Sequence, residues 1–351
     1  LEPRLDIVDI DEEEETVAAD RRLLRGRHTK LSSSRTDSRC MSYHPRIETS
    51  EYGSFVTTRT RNSELWFVNN RRLEEAALGY LARYKTRYEV KVYAYCFYGD
   101  QTHYVADYPK LNRADFTRDF NSTVARAVPR YVPSYPGGRV WGRRYSAEFL
   151  PESGDKERQF FYTVLQAVND GLAERLSDYP GYNCFHDAVW GIERKYTVTN
   201  WAEYNKAKKR NGSVRLIDYQ ETVTLKYDRL PGYEEMTQRD YAHMMMRKLE
   251  EHRQAIVEKR REEGLGYPDP RKLREVVPGS RPRKTKTSTI KDFRPRVIAS
   301  CPKRRKEVLE WYFAHYYAYR EASKAYRAGD LTVKFPPGMY RPYLRTNIPP
   351  P

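Results

Sequence analysis

Two alternating segments around a two-residue turn constrain this chain most. Val90 to Phe97 (VKVYAYCF) alternates as a strand does, Gly99-Asp100 signals a tight turn, and Gln101 to Ala106 reads as the second strand of a hairpin. The pattern continues on both sides. Tyr52 to Thr60 (YGSFVTTRT) is rich in β-branched and aromatic residues and reads as a strand. After a loop through Asn62 and Ser63, Asn70 stands where it can cap a helix with the apolar face Leu73, Ala77, Leu78 and Leu81. Leu111 to Val128 reads as a second helix, burying Leu111, Phe116, Phe120, Val124 and Val128, with Pro129 ending it or lying just after its end. Val140 to Leu150 is strand-like with a Gly interruption. Ser153-Gly154-Asp155 opens a helix to about Val168, and Asn169-Asp170-Gly171 stops it. The order β-α-β-β-α-β-α is that of a ferredoxin-like split βαβ unit with an added C-terminal helix. The expected class is α+β. An antiparallel sheet of four or five strands has helices on one face, and a further helix carrying Tyr162 lies across a central strand holding Gln101 and His103.

The ends differ in composition. Residues 1–45 read as a flexible lead, with the acidic run Asp11 to Glu15 and the Ser- and Arg-rich Leu31 to Ser38, too polar to order themselves. Residues 46–190 carry the regular pattern. Residues 191–351 read as a basic, partly disordered extension containing a charged helix (Met236 to Gly264), a Pro/Arg/Lys-rich stretch (Leu265 to Pro302) and a Tyr-rich helix (Glu307 to Ala328). Such a basic run is more often solvated than a specific reader, yet it adds phosphate affinity.

The formal charge of +16 over 351 residues favours a polyanionic partner, nucleic acid ahead of a membrane surface. Many of the 30 tyrosines stand beside Arg or Lys, as in Arg83-Tyr84-Lys85 and Arg130-Tyr131. That pairing suits stacking on unpaired bases, while half-buried strand positions explain most of them equally well. The four cysteines are far apart and form no CxxC pair, which argues against structural zinc or a disulfide framework and fits a reducing cytoplasm. No apolar run approaches a membrane span and no signal peptide is visible. The sequence begins with Leu1 rather than Met, which leaves its true start open.

The chemistry-bearing residues fall into two groups. Gln101 and His103, two apart on a strand, point to one face. Tyr162 and Gln166, four apart on a helix, share a face. Together they suggest a divalent ion held by Gln101, His103 and Gln166, magnesium or manganese suiting the amide oxygens, beside a tyrosine hydroxyl. Asp100 and Asp107 are close enough in sequence to contribute. The ion would polarise a phosphate. Tyr162 would attack it to give a phosphotyrosine, its phenol activated by the metal and by Arg143, Arg144 or Arg158. Each piece also has a structural reading: a His and Gln in a sheet, a Tyr at an interface, a solvated Gln.

Residues of about 42–190 resemble the single-tyrosine HUH transposases, in particular the REP-associated tyrosine transposase group. The matching segments are Phe55 to Thr60 (FVTTRT), Val90 to His103 (VKVYAYCFYGDQTH), Gly142 to Tyr145 (GRRY) and Tyr162 to Pro180 (YTVLQAVNDGLAERLSDYP). The family has a YxLMPNHxH run where Tyr95 to His103 stands here. The resemblance implies a nuclease and strand transferase acting on single-stranded DNA hairpins of palindromic repeats, as monomer or homodimer. Tyr162 maps onto the nucleophile, His103 onto the second histidine and Gln166 onto the helix ligand. Gln101 falls where the first histidine stands, and Gly99-Asp100 replaces Pro-Asn. Arg143, Arg144 and Tyr145, on the strand before the catalytic helix, are expected to contact DNA, with Arg59 and Arg158. Two alternatives follow: a hairpin-binding protein of the same fold that has lost its chemistry through Gln101, and an RNA-binding protein resting on fold and Tyr/Arg content alone.

Overall fold

A computed structural model describes residues 46–282 and 296–343. The expected lead over 1–45 lies outside the described residues, as does 283–295 of the basic stretch. Strand β1 (Gly53–Arg59), helix α1 (Arg71–Tyr88), strands β2 (Lys91–Tyr98) and β3 (Gln101–Asp107), helix α2 (Arg113–Tyr131), strand β4 (Ser146–Leu150) and helix α3 (Ser153–Val164) follow in the expected order. The sheet runs β2-β3-β1-β4, all antiparallel, and β7 (Arg296–Val297) adds a fifth strand parallel to β4. The fifth strand departs from the all-antiparallel expectation. It is two residues long, too short for any period to announce it.

β3 lies between β2 and β1, and its residues Gln101 to Ala106 are all buried because helices cover both faces. On one face Tyr104 packs against Phe116 and Phe120 of α2 and shares a 2.9 Å hydrogen bond with Thr117. The other face carries His103, against which Tyr162 of α3 rests. One residue of β2 is bulged between Val92 and Ala94, which sets Cys96 opposite His103 and Tyr98 opposite Gln101.

Local chemistry accounts for the boundaries. The Asn70 side chain accepts a 3.0 Å hydrogen bond from the Leu73 amide, capping α1 as expected, and Leu73, Ala77, Leu78 and Leu81 are buried. Three expectations are corrected. Leu111 precedes α2 at φ 53 and is exposed rather than core. Pro129 lies within α2 rather than at or just after its end, two residues before the last helical residue, where only a single ladder bond is forfeited. Residues 140–145 precede β4 as a loop, tied down by the Arg61 amide on the Val140 carbonyl and the Gly142 amide on the Arg59 carbonyl. A Cβ at Gly142 would meet the Thr60 carbonyl oxygen at 3.0 Å, so this approach suits glycine.

Packing is continuous across residue 190. Helices α4 (Gln166–Asn169) and α5 (Phe185–Trp190) are followed by a two-stranded ribbon, β5 (Arg194–Thr199) with β6 (Gln220–Leu225), joined through α6 (Trp201–Arg210). The ribbon lies on α1 so closely that a Cβ at Gly79 would stand 2.7 Å from Val198. Helix α7 (Gln238–Glu262) buries Tyr241, Ala242 and Met245 in the main core. After α8 (Pro270–Arg274), helix α9 (Pro302–Arg327) packs Trp311 and Tyr312 against Phe149, forming a second cluster with Tyr52 and Val297. No helix among the described residues is long and apolar enough to cross a membrane.

Candidate active site

The register of β1 and β3 builds one side of the site. Thr57 lies opposite His103 and Arg59 opposite Gln101, two successive pairs on the same face. His103 is buried. Its ring stacks on Phe55 at 5.4 Å and receives the Tyr162 ring edge-on at 6.5 Å. Its Nδ1 lies 3.1 Å from the Thr57 hydroxyl, while Nε2 is buried with no hydrogen-bond partner. Burial, with the Arg59 charge adding to it, pushes the imidazole pKa down to about 3, so His103 is neutral at ordinary pH.

Gln101 is also buried, but its oxygen is taken. Oε1 accepts hydrogen bonds from Arg59 Nε at 3.1 Å and Nη2 at 2.9 Å. Arg59 Nε is also 3.7 Å from the Asp100 carboxylate. Burial raises the Asp100 pKa, and the Arg59 charge opposes that.

The helical side departs from expectation. One helix through Tyr162 and Gln166 does not form; α3 ends at Val164 and α4 begins at Gln166. The Thr163 hydroxyl donates back to the Gln159 carbonyl at 2.7 Å, a bond that bends helices. The Asn183 side chain then donates to the Val164 carbonyl at 2.7 Å, and the Val168 and Asn169 amides both turn onto the Leu165 carbonyl. In consequence Tyr162 is 40% exposed and Gln166 only 4%. The Gln166 amide nitrogen donates to Asp170 at 3.0 Å, leaving Oε1 buried without a partner. Ala167 packs on Cys96 and Tyr98, the β2 residues opposite His103 and Gln101, which brings Gln166 over the same part of the sheet. Tyr179 stacks on Tyr98 at 5.5 Å, and its hydroxyl accepts from the Gly99 amide, steadying the β2–β3 turn.

A three-donor cage for a divalent ion does not fit these contacts. Two neutral atoms, His103 Nε2 and Gln166 Oε1, are buried and unsatisfied, as ligand atoms would be. The third, Gln101 Oε1, is bonded twice to a guanidinium, whose charge repels a cation. Among the described residues no group of three or more His, Cys, Asp or Glu could hold a metal. Asp107 lies at the far end of β3, bound by Lys156 at 2.7 Å and Tyr93 at 2.6 Å, so it is not part of the site.

The expected DNA contacts separate. Arg143 and Arg144 are exposed on the loop before β4. Tyr145 is 8% exposed with its hydroxyl buried, and the Arg46 guanidinium covers its ring at 3.5 Å. It belongs to the core, not to a DNA-facing surface, because a flat cation caps the ring that would have stacked on a base. Arg158 sits one turn before Tyr162 on α3, its guanidinium 3.4 Å from Asp155 and 39% exposed. Thr57, Phe55, Asp170 and Asn183 position the site and were not singled out in the sequence. For Thr57 and Phe55 a signal existed: alternation of β1 places both on the Arg59 face.

No family model matches the chain. No curated protein matches it either. Among solved structures, it is similar to a REP-associated tyrosine transposase bound to a REP hairpin, at 17% identity and TM-score 0.36 over 42% of this chain and 84% of that one. It is similar to a candidate transposase from Deinococcus radiodurans at 18% identity and TM-score 0.25, over 30% and 85%. It is also similar to a tRNA(His) guanylyltransferase from Saccharomyces cerevisiae at 8% identity and TM-score 0.29, over 48% and 75%. Likenesses this distant do not establish a family.

Proposed function

We propose that this chain is a transposase-like enzyme that nicks and rejoins single-stranded DNA at hairpins, with Tyr162 as nucleophile. The observation that carries the reading is the position of Tyr162: a solvent-accessible phenol-bearing ring set edge-on against a buried neutral imidazole. The sequence resemblance to single-tyrosine transposases supports it. In the reaction a bond forms between Tyr162 Oη and phosphorus, and the bond from phosphorus to the 3′-oxygen breaks. The phenol proton ends on that 3′-oxygen, and the 5′-phosphate stays on the protein. The covalent intermediate conserves the bond energy, so attack by a new 3′-hydroxyl rejoins DNA without ATP. His103, kept neutral by burial, and Phe55 hold the tyrosine ring in place. Arg158, on the same face of α3, and Arg143 and Arg144 on the neighbouring loop bind backbone phosphates.

A second reading keeps the fold and the hairpin but not the chemistry. It is favoured by Gln101, whose oxygen is engaged with Arg59. Incubation of the full chain with end-labelled hairpin DNA separates the two on a denaturing gel. The enzyme leaves a protein-linked band that Tyr162→Phe abolishes. The binding protein shifts the hairpin on a native gel and leaves no such band.

A further inference from the structure

We propose that Arg59 supplies the positive charge on the scissile phosphate, in the position where a metal-dependent site would place its ion. The inference rests on Tyr162 acting as the nucleophile. Three observations lead to it. Arg59 is anchored on Gln101 Oε1 by two hydrogen bonds and on Asp100 at 3.7 Å, so its guanidinium is preorganised rather than waving in solvent. Its side chain is nevertheless 43% exposed, and those contacts use the Nε–Nη2 edge, leaving the Nη1 side to meet a phosphate. The Arg59–Gln101 pair is the next same-face pair after Thr57–His103, about 7 Å along the strand. Tyr162 packs over Phe55 at 5.6 Å and His103 at 6.5 Å, and Arg59 follows on the same face of β1, so DNA running from Tyr162 toward the Gln101 end of the sheet passes the guanidinium.

The buried amide explains itself in this account. A glutamine oxygen bonded only to a guanidinium is a positioning group, and Asp100 approaches the same Nε edge of the cation. In the transfer step charge builds on the non-bridging oxygens as the bond to Tyr162 Oη forms and the bond to O3′ breaks. Arg59 hydrogen bonds meet that charge and keep their own protons, while the phenol proton passes to O3′.

The test measures covalent adduct formation on single-stranded hairpin DNA in excess EDTA and, separately, in Mn²⁺. The expected result is that the wild-type chain forms adduct at the same rate in both. Arg59→Ala slows it about 100-fold or more in both. Added guanidinium ion restores part of that loss, which a merely structural defect would not allow. Should Arg59→Ala fail to fold, Arg59→Lys carries the test, with an intermediate loss expected because it keeps charge but not the fork. Adduct that vanishes in EDTA and returns with Mn²⁺ overturns the Arg59 role and leaves the nucleophile intact. Adduct absent under every condition overturns both.

Discussion

Arg59 donates two hydrogen bonds to one oxygen of Gln101, from Nε at 3.1 Å and Nη2 at 2.9 Å, across two antiparallel strands. A buried amide is thereby satisfied by a half-exposed cation, and the two residues act as one unit. Gln101→Leu should remove the unit's anchor and cost about 1–2 kcal/mol, since hydrogen bonds to charged groups exceed neutral ones. A urea midpoint unchanged in this variant would show the pair to be incidental.

Thr57 meets the Nδ1 side of His103 at 3.1 Å, and Nε2 already lacks a partner. Thr57→Val keeps the shape and strips the hydroxyl, leaving both ring nitrogens buried and unsatisfied. The expected cost is roughly 1–3 kcal/mol, with slower adduct formation because the ring under Tyr162 is freed. Calorimetry on the variant reads the first effect. A Tm equal to the parent's would mean that Thr57 does not hold the histidine.

Glu74 offers a pH test remote from the nucleophile. Burial pushes its pKa up from 4.5 to about 7, against the opposing pull of the Tyr182 amide and Arg71. The folded state therefore holds a proton that the unfolded state has lost between these values. This contribution is fully present below pH 4.5 and is lost as pH rises through 7, by roughly 2 kcal/mol after solvent screening. Glu74→Gln should flatten the fall of stability between pH 5 and 8 in urea titrations. A variant curve parallel to the parent's would assign the slope to another group.

Gly79 reports on whether the β5–β6 ribbon docks on α1. Alanine at an exposed helical glycine stabilises by about 1 kcal/mol. Here a Cβ would lie 2.7 Å from Val198 Cγ2 and 3.2 Å from Tyr196, so the ribbon must shift. Gly79→Ala should destabilise by about 1 kcal/mol instead. The sign of the change in unfolding free energy decides the matter.

The legible parts of the fold were those written in a period. The β2–β3 hairpin, the Asn70 cap and the buried faces of α1 and α2 follow from alternation and from spacings of three and four residues. The two-residue β7 has no period, and it finds β4 only through tertiary contact. The break between α3 and α4 depends on a hydroxyl and on Asn183, which is distant in sequence. Register hid the Arg59–Gln101 pair: both residues were in view, but only strand alignment sets one opposite the other. Tyr145 looked like a stacking platform because Arg144 precedes it, yet Arg46 covers its ring.

The central claim is that Tyr162 becomes covalently joined to DNA. The most direct test digests the adduct from a hairpin-cleavage reaction and locates the nucleotide by peptide mass spectrometry. The account predicts a 5′-phosphonucleotide on Tyr162, and none when the chain carries Tyr162→Phe. Hairpin cleaved with the nucleotide on another tyrosine, or cleaved equally well by Tyr162→Phe, would contradict it.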